Sequence, residues 1–288
     1  MNFHKQPHIF VSQVHLKVQD LERSITFYKE MIGFQVLSQE ERKAKLTADG
    51  KNVLLYIEQP DDVVPKQQRS TGLYHFALLL PKRSDLALVV KHLSEKNYPI
   101  GSSDHLVSEA IYLSDPDGNG IEIYVDRSPE TWEWKDNEVK MTVDPLNLSK
   151  LLNEIEEGDT WEGLPSETLI GHIHLHVAEL PDTEAFYREL GFDVVCRFGK
   201  QALFMSTGGY HHHIGLNTWA GVGASAPAEK NVGMKQFTLD YPNYEKREII
   251  MNNLKKIGAP LIEENGSIKT KDPSGNLIEL YVNDAFTK

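Results

Sequence analysis

Among the 12 histidines of this 288-residue chain, two stand at matching places in a repeated pattern. His75 and His172 fill the same slot of an opening strand, and Gln13 and Gln236 fill it in the other two copies. Glu122, set between Ile121 and Ile123, lies on a closing strand, and Glu279 repeats it between Ile278 and Leu280. A carboxylate flanked by core-forming residues needs a partner or a metal. Two imidazoles and one carboxylate that leave positions open suit a non-haem Fe(II), which must bind substrate and dioxygen together; Mn(II) tolerates the same ligands. A further run, Tyr210-His211-His212-His213, offers imidazoles that titrate near neutral pH and can move protons both ways. Strand neighbours point to opposite faces, so His213 and His212 are alternatives for one cavity; His213 is the first choice.

These residues depend on elements that repeat. His15-Leu-Lys-Val-Gln-Asp-Leu, leading to Phe27-Tyr28 and then Gly33-Phe34, returns as His174-Leu-His-Val-Ala-Glu-Leu, Phe186-Tyr187 and Gly191-Phe192. Asp115-Pro-Asp-Gly-Asn-Gly-Ile-Glu122-Ile-Tyr124 returns as Asp272-Pro-Ser-Gly-Asn-Leu-Ile-Glu279-Leu-Tyr281. Each half splits again into an alternating strand, a helical stretch and short strands broken by Gly or Asp-Gly turns. The expected fold is therefore α+β: four βαβββ units, at 9–60, 72–127, 169–219 and 231–284, forming curved mixed sheets. The domain reading is 9–127 and 168–284, joined by an acid-rich linker, 128–167, with a short helix near Leu148–Glu156.

Composition narrows the function. A formal charge of -12 without a basic stripe disfavours nucleic acid and anionic membranes. No apolar run approaches the roughly 18 residues of a membrane span. The first residues carry no basic-then-apolar signal, and the single Cys196 reads as a core thiol. A cytoplasmic protein acting on small molecules is expected, compatible with a homo-oligomer.

The four units, the Phe-Tyr helix followed by Gly-Phe, and the Asp-Pro-x-Gly-Asn-x-Ile-Glu endings resemble the vicinal oxygen chelate superfamily (glyoxalase I, bleomycin-resistance proteins, extradiol dioxygenases) along nearly the whole chain. Within it the chain most resembles the Bacillus-type catechol 2,3-dioxygenases. The second unit matches the extradiol signature through His105, Ile111-Tyr112, Asp115-Pro116, Gly118 and Glu122, departing at Ser103. The fourth keeps Asp272-Pro273 and Glu279 but has Lys269 in place of the tyrosine and Gln236 in the ligand slot.

The resemblance implies paired units around a divalent metal. Because the third unit's complement lies in the second, units two and three are expected to share the site: His75, Glu122 and His172 as ligands, with His213, His105 and Tyr112 around the substrate. Units one and four would form a second, metal-free cup containing Gln13, Gln236 and Glu279. The implied reaction is Fe(II)-dependent cleavage of a small aromatic diol by O2 to a 2-hydroxymuconic semialdehyde, as in aromatic catabolism. A glyoxalase I-like lyase or isomerase is the first alternative; it usually takes four ligands, and Val53–Ile57 supply no carboxylate. A non-catalytic aromatic-binding or resistance protein is the second.

Overall fold

The computed structural model describes residues 3–283. Unit one comprises β1 (Phe10–Lys17), α1 (Leu21–Phe27), β2 (Gln35–Glu40), β3 (Lys43–Thr47) and β4 (Leu55–Glu58). Unit two follows with β5 (Gly72–Leu79), α2 (Arg83–Glu95), β6 (Gly101–Asp104), β7 (Ser108–Ser114) and β8 (Gly120–Asp126). The linking segment holds a small hairpin, β9 (Trp134–Lys135) and β10 (Glu138–Val139), and the one-turn α3 (Leu148–Leu152), shorter than the sequence suggests. Unit three is β11 (Leu169–His176), α4 (Leu180–Glu189), β12 (Asp193–Phe198), β13 (Ala202–Ser206) and β14 (Ile214–Asn217). Unit four is β15 (Gly233–Tyr241), α5 (Tyr244–Lys256), β16 (Leu261–Glu264), β17 (Ser267–Lys271) and β18 (Leu277–Val282).

The units pair across the halves. One eight-stranded sheet runs β12-β13-β14-β11-β5-β8-β7-β6, uniting units three and two; the other runs β16-β17-β18-β15-β1-β4-β3-β2, uniting four and one. The joins are antiparallel, β11 on β5 and β15 on β1, whereas β5 and β8 run parallel. This is the pairing expected from the uneven distribution of ligand-type residues.

The repeated motifs explain how the halves remain tied while the sheets cross between them. Asp115 closes its turn by accepting from the backbone N–H groups of Asp117 and Asn119, and its other oxygen accepts from Tyr28 of unit one. Asp272 does the same with Ser274, Asn276 and Tyr187 of unit three. Thus the tyrosine of each Phe-Tyr helix anchors the following unit's closing turn. Gly33 and Gly191 end these helices at φ 95° and 99°, left-handed conformations that glycine adopts without Cβ strain.

Alternation then divides each strand. On β5, Phe76 and Leu78 join the main core, while His75 and Ala77 face the opposite way. No helix among the described residues is long and apolar enough to cross a membrane.

Candidate metal centre

Strand register assembles the candidate ligands. Glu122 on β8 is level with Ala77 on β5, and Ala77 is level with His172 on β11. The small central side chain lets the carboxylate and the imidazole meet across the strand between them. His75, two residues before Ala77, projects from the same face of β5. Its Nε2 lies 2.9 Å from Glu122 Oε2 and 3.3 Å from His172 Nε2, and the third edge, His172 Nε2 to Glu122 Oε2, is 3.1 Å. All three residues are buried, at 6%, 3% and 1% exposure for His75, Glu122 and His172.

This triangle fits a divalent ion. Three ligands on one face of an octahedron, with bonds of about 2.1 Å at right angles, stand about 3.0 Å apart; a tetrahedron spreads them to about 3.4 Å. Two of the three observed edges, 2.9 and 3.1 Å, lie nearer the first value. Ligand protonation also suits metal binding, which requires neutral imidazole and ionised carboxylate. Burial pushes His172 down to about 4 against the opposing pull of Glu122. Burial by itself would raise Glu122, but His172 and His75 outweigh it and hold the carboxyl well below its ordinary range.

The triangle closes one end of a cavity of about 380 Å³. His212 lines this cavity and His213 does not. His213 instead turns into the interior, where its Nε2 donates to the Phe3 carbonyl and its Nδ1 accepts from the Thr207 N–H. Of the two alternatives, the structure therefore brings His212 to the cavity and not the first choice, His213. The histidine run is an irregular bend ahead of β14 rather than part of a strand, so its local geometry is not set by ladder pairing. The His212 ring lies 4.0 Å, centroid to centroid, from His172. Burial, followed by His172 and His211, holds it well below the ordinary imidazole range. His105 and Tyr112 also line the cavity, with Tyr112 level with Glu122 on the neighbouring strand. His105 Nδ1 donates to the Thr142 carbonyl at 2.6 Å, which leaves Nε2 of the neutral ring to accept from the Tyr112 hydroxyl at 2.5 Å. Burial, then the Glu122 charge, raises Tyr112 well above the usual phenol range, keeping its proton in place.

Residues 7–123 match the family model described as Glyoxalase/Bleomycin resistance protein/Dioxygenase superfamily. A catechol-2,3-dioxygenase of Bacillus subtilis (strain 168) is 45% identical over 286 residues, covering 98% of this chain and 99% of that protein. The chain belongs to this superfamily. Among solved structures, a putative dioxygenase from Bacillus subtilis superposes with TM-score 0.63 at 14% identity, covering 95% of this chain and 84% of that one. Glyoxalase I from Zea mays gives 0.59 at 17% identity, covering 97% and 94%. At these identities the two structures show a shared fold.

The superfamily's repeated architecture makes the second sheet an internal control. There Glu279, Thr238 and Gln13 form the row equivalent to Glu122, Ala77 and His172. Thr238 replaces alanine and donates to Glu279 at 3.2 Å; Gln236 donates to the same oxygen at 3.1 Å, and Ser267 donates to the other. Hydroxyls and an amide occupy the carboxylate that histidines approach in the first sheet. Gln13 lines a separate cavity of about 290 Å³ with Asp240 and Tyr281, away from Gln236 and Glu279.

Asp126 and the contacts of His211 were not reached from the sequence. His211 Nε2 meets Asp126 Oδ1 at 2.8 Å, and His211 Nδ1 meets His212 Nδ1 at 2.8 Å. A signal for Asp126 was present: Glu122, Tyr124 and Asp126 alternate along β8 and share one face. His174 also stands in the cavity wall. His174 lies 5.1 to 5.4 Å, centroid to centroid, from Tyr74, Phe204 and Trp219, and Asn217 Nδ2 donates to its Nε2. His176 lines a different opening, beside Lys66.

Proposed function

We propose that the chain is an extradiol dioxygenase that uses Fe(II) and O2 to open a catechol ring beside its two hydroxyls, giving a product of the 2-hydroxymuconic semialdehyde type. The observation that carries this reading is the buried triangle of His75, Glu122 and His172 at the end of an aromatic-walled cavity. The 45% identical catechol-2,3-dioxygenase supports it independently.

His75 Nε2, His172 Nε2 and Glu122 Oε2 would hold the ion. When bound, Fe(II) would supply the positive charge that favours a catechol anion and a path for electrons from the diol to dioxygen. The chain's own groups do the rest. His212, whose Nδ1 is engaged by His211, takes a proton from a substrate hydroxyl at Nε2 and returns it later. The Tyr112 hydroxyl, whose proton is directed to His105 Nε2, presents its oxygen to accept from a hydroxyl of the bound diol. Phe204, Tyr74 and Trp219 flank the ring and reduce its contact with water, placing its polar edge towards the triangle. Apolar walls favour a small, uncharged aromatic diol.

The test is anaerobic loading with Fe(II), followed by oxygen and catechol, with oxygen uptake and the coloured ring-opened product recorded together. Stoichiometric uptake and product formation, lost in His172→Ala, are expected. Absence of turnover with unsubstituted and alkyl-substituted catechols would reject the reading.

A further inference from the structure

We infer that Asp126 and His211 are positioning residues that hold His212 in the tautomer with hydrogen on Nδ1 and a bare Nε2 open to the cavity. This rests on the extradiol reading above, because it concerns the group that moves the substrate's proton.

Donors and acceptors alternate through three buried or half-buried side chains, Asp126, His211 and His212. An ionised carboxylate can only accept, so the 2.8 Å contact between Asp126 Oδ1 and His211 Nε2 places hydrogen on His211 Nε2. The neutral His211 ring then presents a lone pair at Nδ1. That lone pair faces His212 Nδ1 at 2.8 Å, which must therefore be the donor. With hydrogen assigned to Nδ1, the neutral His212 ring carries its lone pair on Nε2. The hydrogen bond of the His212 ring to the described residues is made at Nδ1, and the ring lines the cavity.

The far end of the chain is fixed as well. The Tyr210 hydroxyl donates to the same oxygen of Asp126 at 3.2 Å, and the Tyr124 hydroxyl lies 2.6 Å from that of Tyr210, where it can donate in turn. Rings of Trp132, Tyr210 and Tyr124 surround His211, which is fully buried. His211 therefore cannot rotate freely to present a different nitrogen. Proton bookkeeping closes without another reactant: uptake at His212 Nε2 can be matched by transfer of the Nδ1 proton to His211 Nδ1. The added positive charge then resides beside Asp126, one ring further from His172. The reverse transfers restore the starting state.

The experiment combines a spectroscopic and a kinetic readout. Long-range proton–nitrogen correlation spectra of histidine-labelled protein, loaded with diamagnetic Zn(II), report which nitrogen of each ring carries hydrogen. Wild type is expected to show His212 protonated at Nδ1. Asp126→Asn, whose amide can donate to His211, and His211→Phe, which removes the acceptor, are expected to lose that preference. In the Fe(II) enzyme both should lower kcat for catechol at least 30-fold while KM stays within about threefold, as expected for loss of oriented proton transfer. Unchanged near-ultraviolet circular dichroism and one bound metal per chain would show that the variants fold. A wild-type His212 carrying hydrogen on Nε2 would overturn the inference. So would folded variants that keep the wild-type tautomer and kcat. If wild type turns over no catechol, the function fails while the spectra still decide the tautomer; if turnover is normal and the tautomer differs, only this inference fails.

Discussion

Acid should destabilise the metal-free protein through its buried neutral imidazoles, and the loss can be worked out for two of them. Burial lowers His4 from 6.5 to about 4, with the Gly171 carbonyl opposing, and lowers His172 by the same amount. In the unfolded chain both rings regain ordinary basicity and bind protons first. Stability is therefore fully present above pH 6.5 and drains away as pH falls towards 4. At pH 5 each ring costs about 2 kcal/mol relative to neutral pH, or about 4 kcal/mol together, by the linkage relation. His174, His212 and His213 are held down by burial and act in the same direction. Asp240, raised to about 6 by burial, gains a proton in the folded state first and offsets part of the loss.

Urea unfolding of metal-stripped protein at pH 7.5 and pH 5, followed by circular dichroism, measures the difference. His4→Phe, which keeps a ring among Phe10, Tyr210 and His213, should reduce the pH-dependent part by about 2 kcal/mol, whatever it does to absolute stability. A stability that changes by less than about 1 kcal/mol between the two pH values, or a His4→Phe slope equal to wild type, would refute the reasoning.

Other parts of the structure give further expectations. Asp115→Ala strands the backbone N–H groups of Asp117 and Asn119 and the Tyr28 hydroxyl, so urea denaturation should show a loss of about 3 kcal/mol. Trp219→Ala should raise KM for alkyl-substituted catechols about tenfold with a smaller change in kcat, measured by initial rates, because it removes an apolar wall from the cavity. Cys196 is buried and its thiol is pushed up to about 11, by burial and then by the Glu138 charge. It should resist an aromatic disulfide reagent in the native protein at pH 8 and react promptly once the chain is unfolded in urea.

The sequence made the repeats legible because the same side chains recur for the same physical work: Asp115 and Asp272 close turns, and Tyr28 and Tyr187 anchor them. Unit pairing was legible too, since His75 and Glu122 in unit two needed the complement that unit three supplied as His172. Period-two alternation sufficed there because all three residues sit on regular strands. It failed at His212 and His213, which precede β14 in an irregular bend. The contribution of His211 and Asp126 was hidden by their separation of 85 residues in the chain. The N-terminal segment gave no signal of its role: Phe3 accepts from His213, and His4 bonds to Gly171, both through contacts that only folding creates.

The central claim is that one metal is held between units two and three. Fe(II) bound per chain after anaerobic equilibrium dialysis tests it most directly in wild type, His75→Ala and Gln236→Ala. One ion per chain is expected in wild type and Gln236→Ala, with binding lost in His75→Ala. Binding retained by His75→Ala and lost by Gln236→Ala would contradict the account and move the site to the sheet of units one and four.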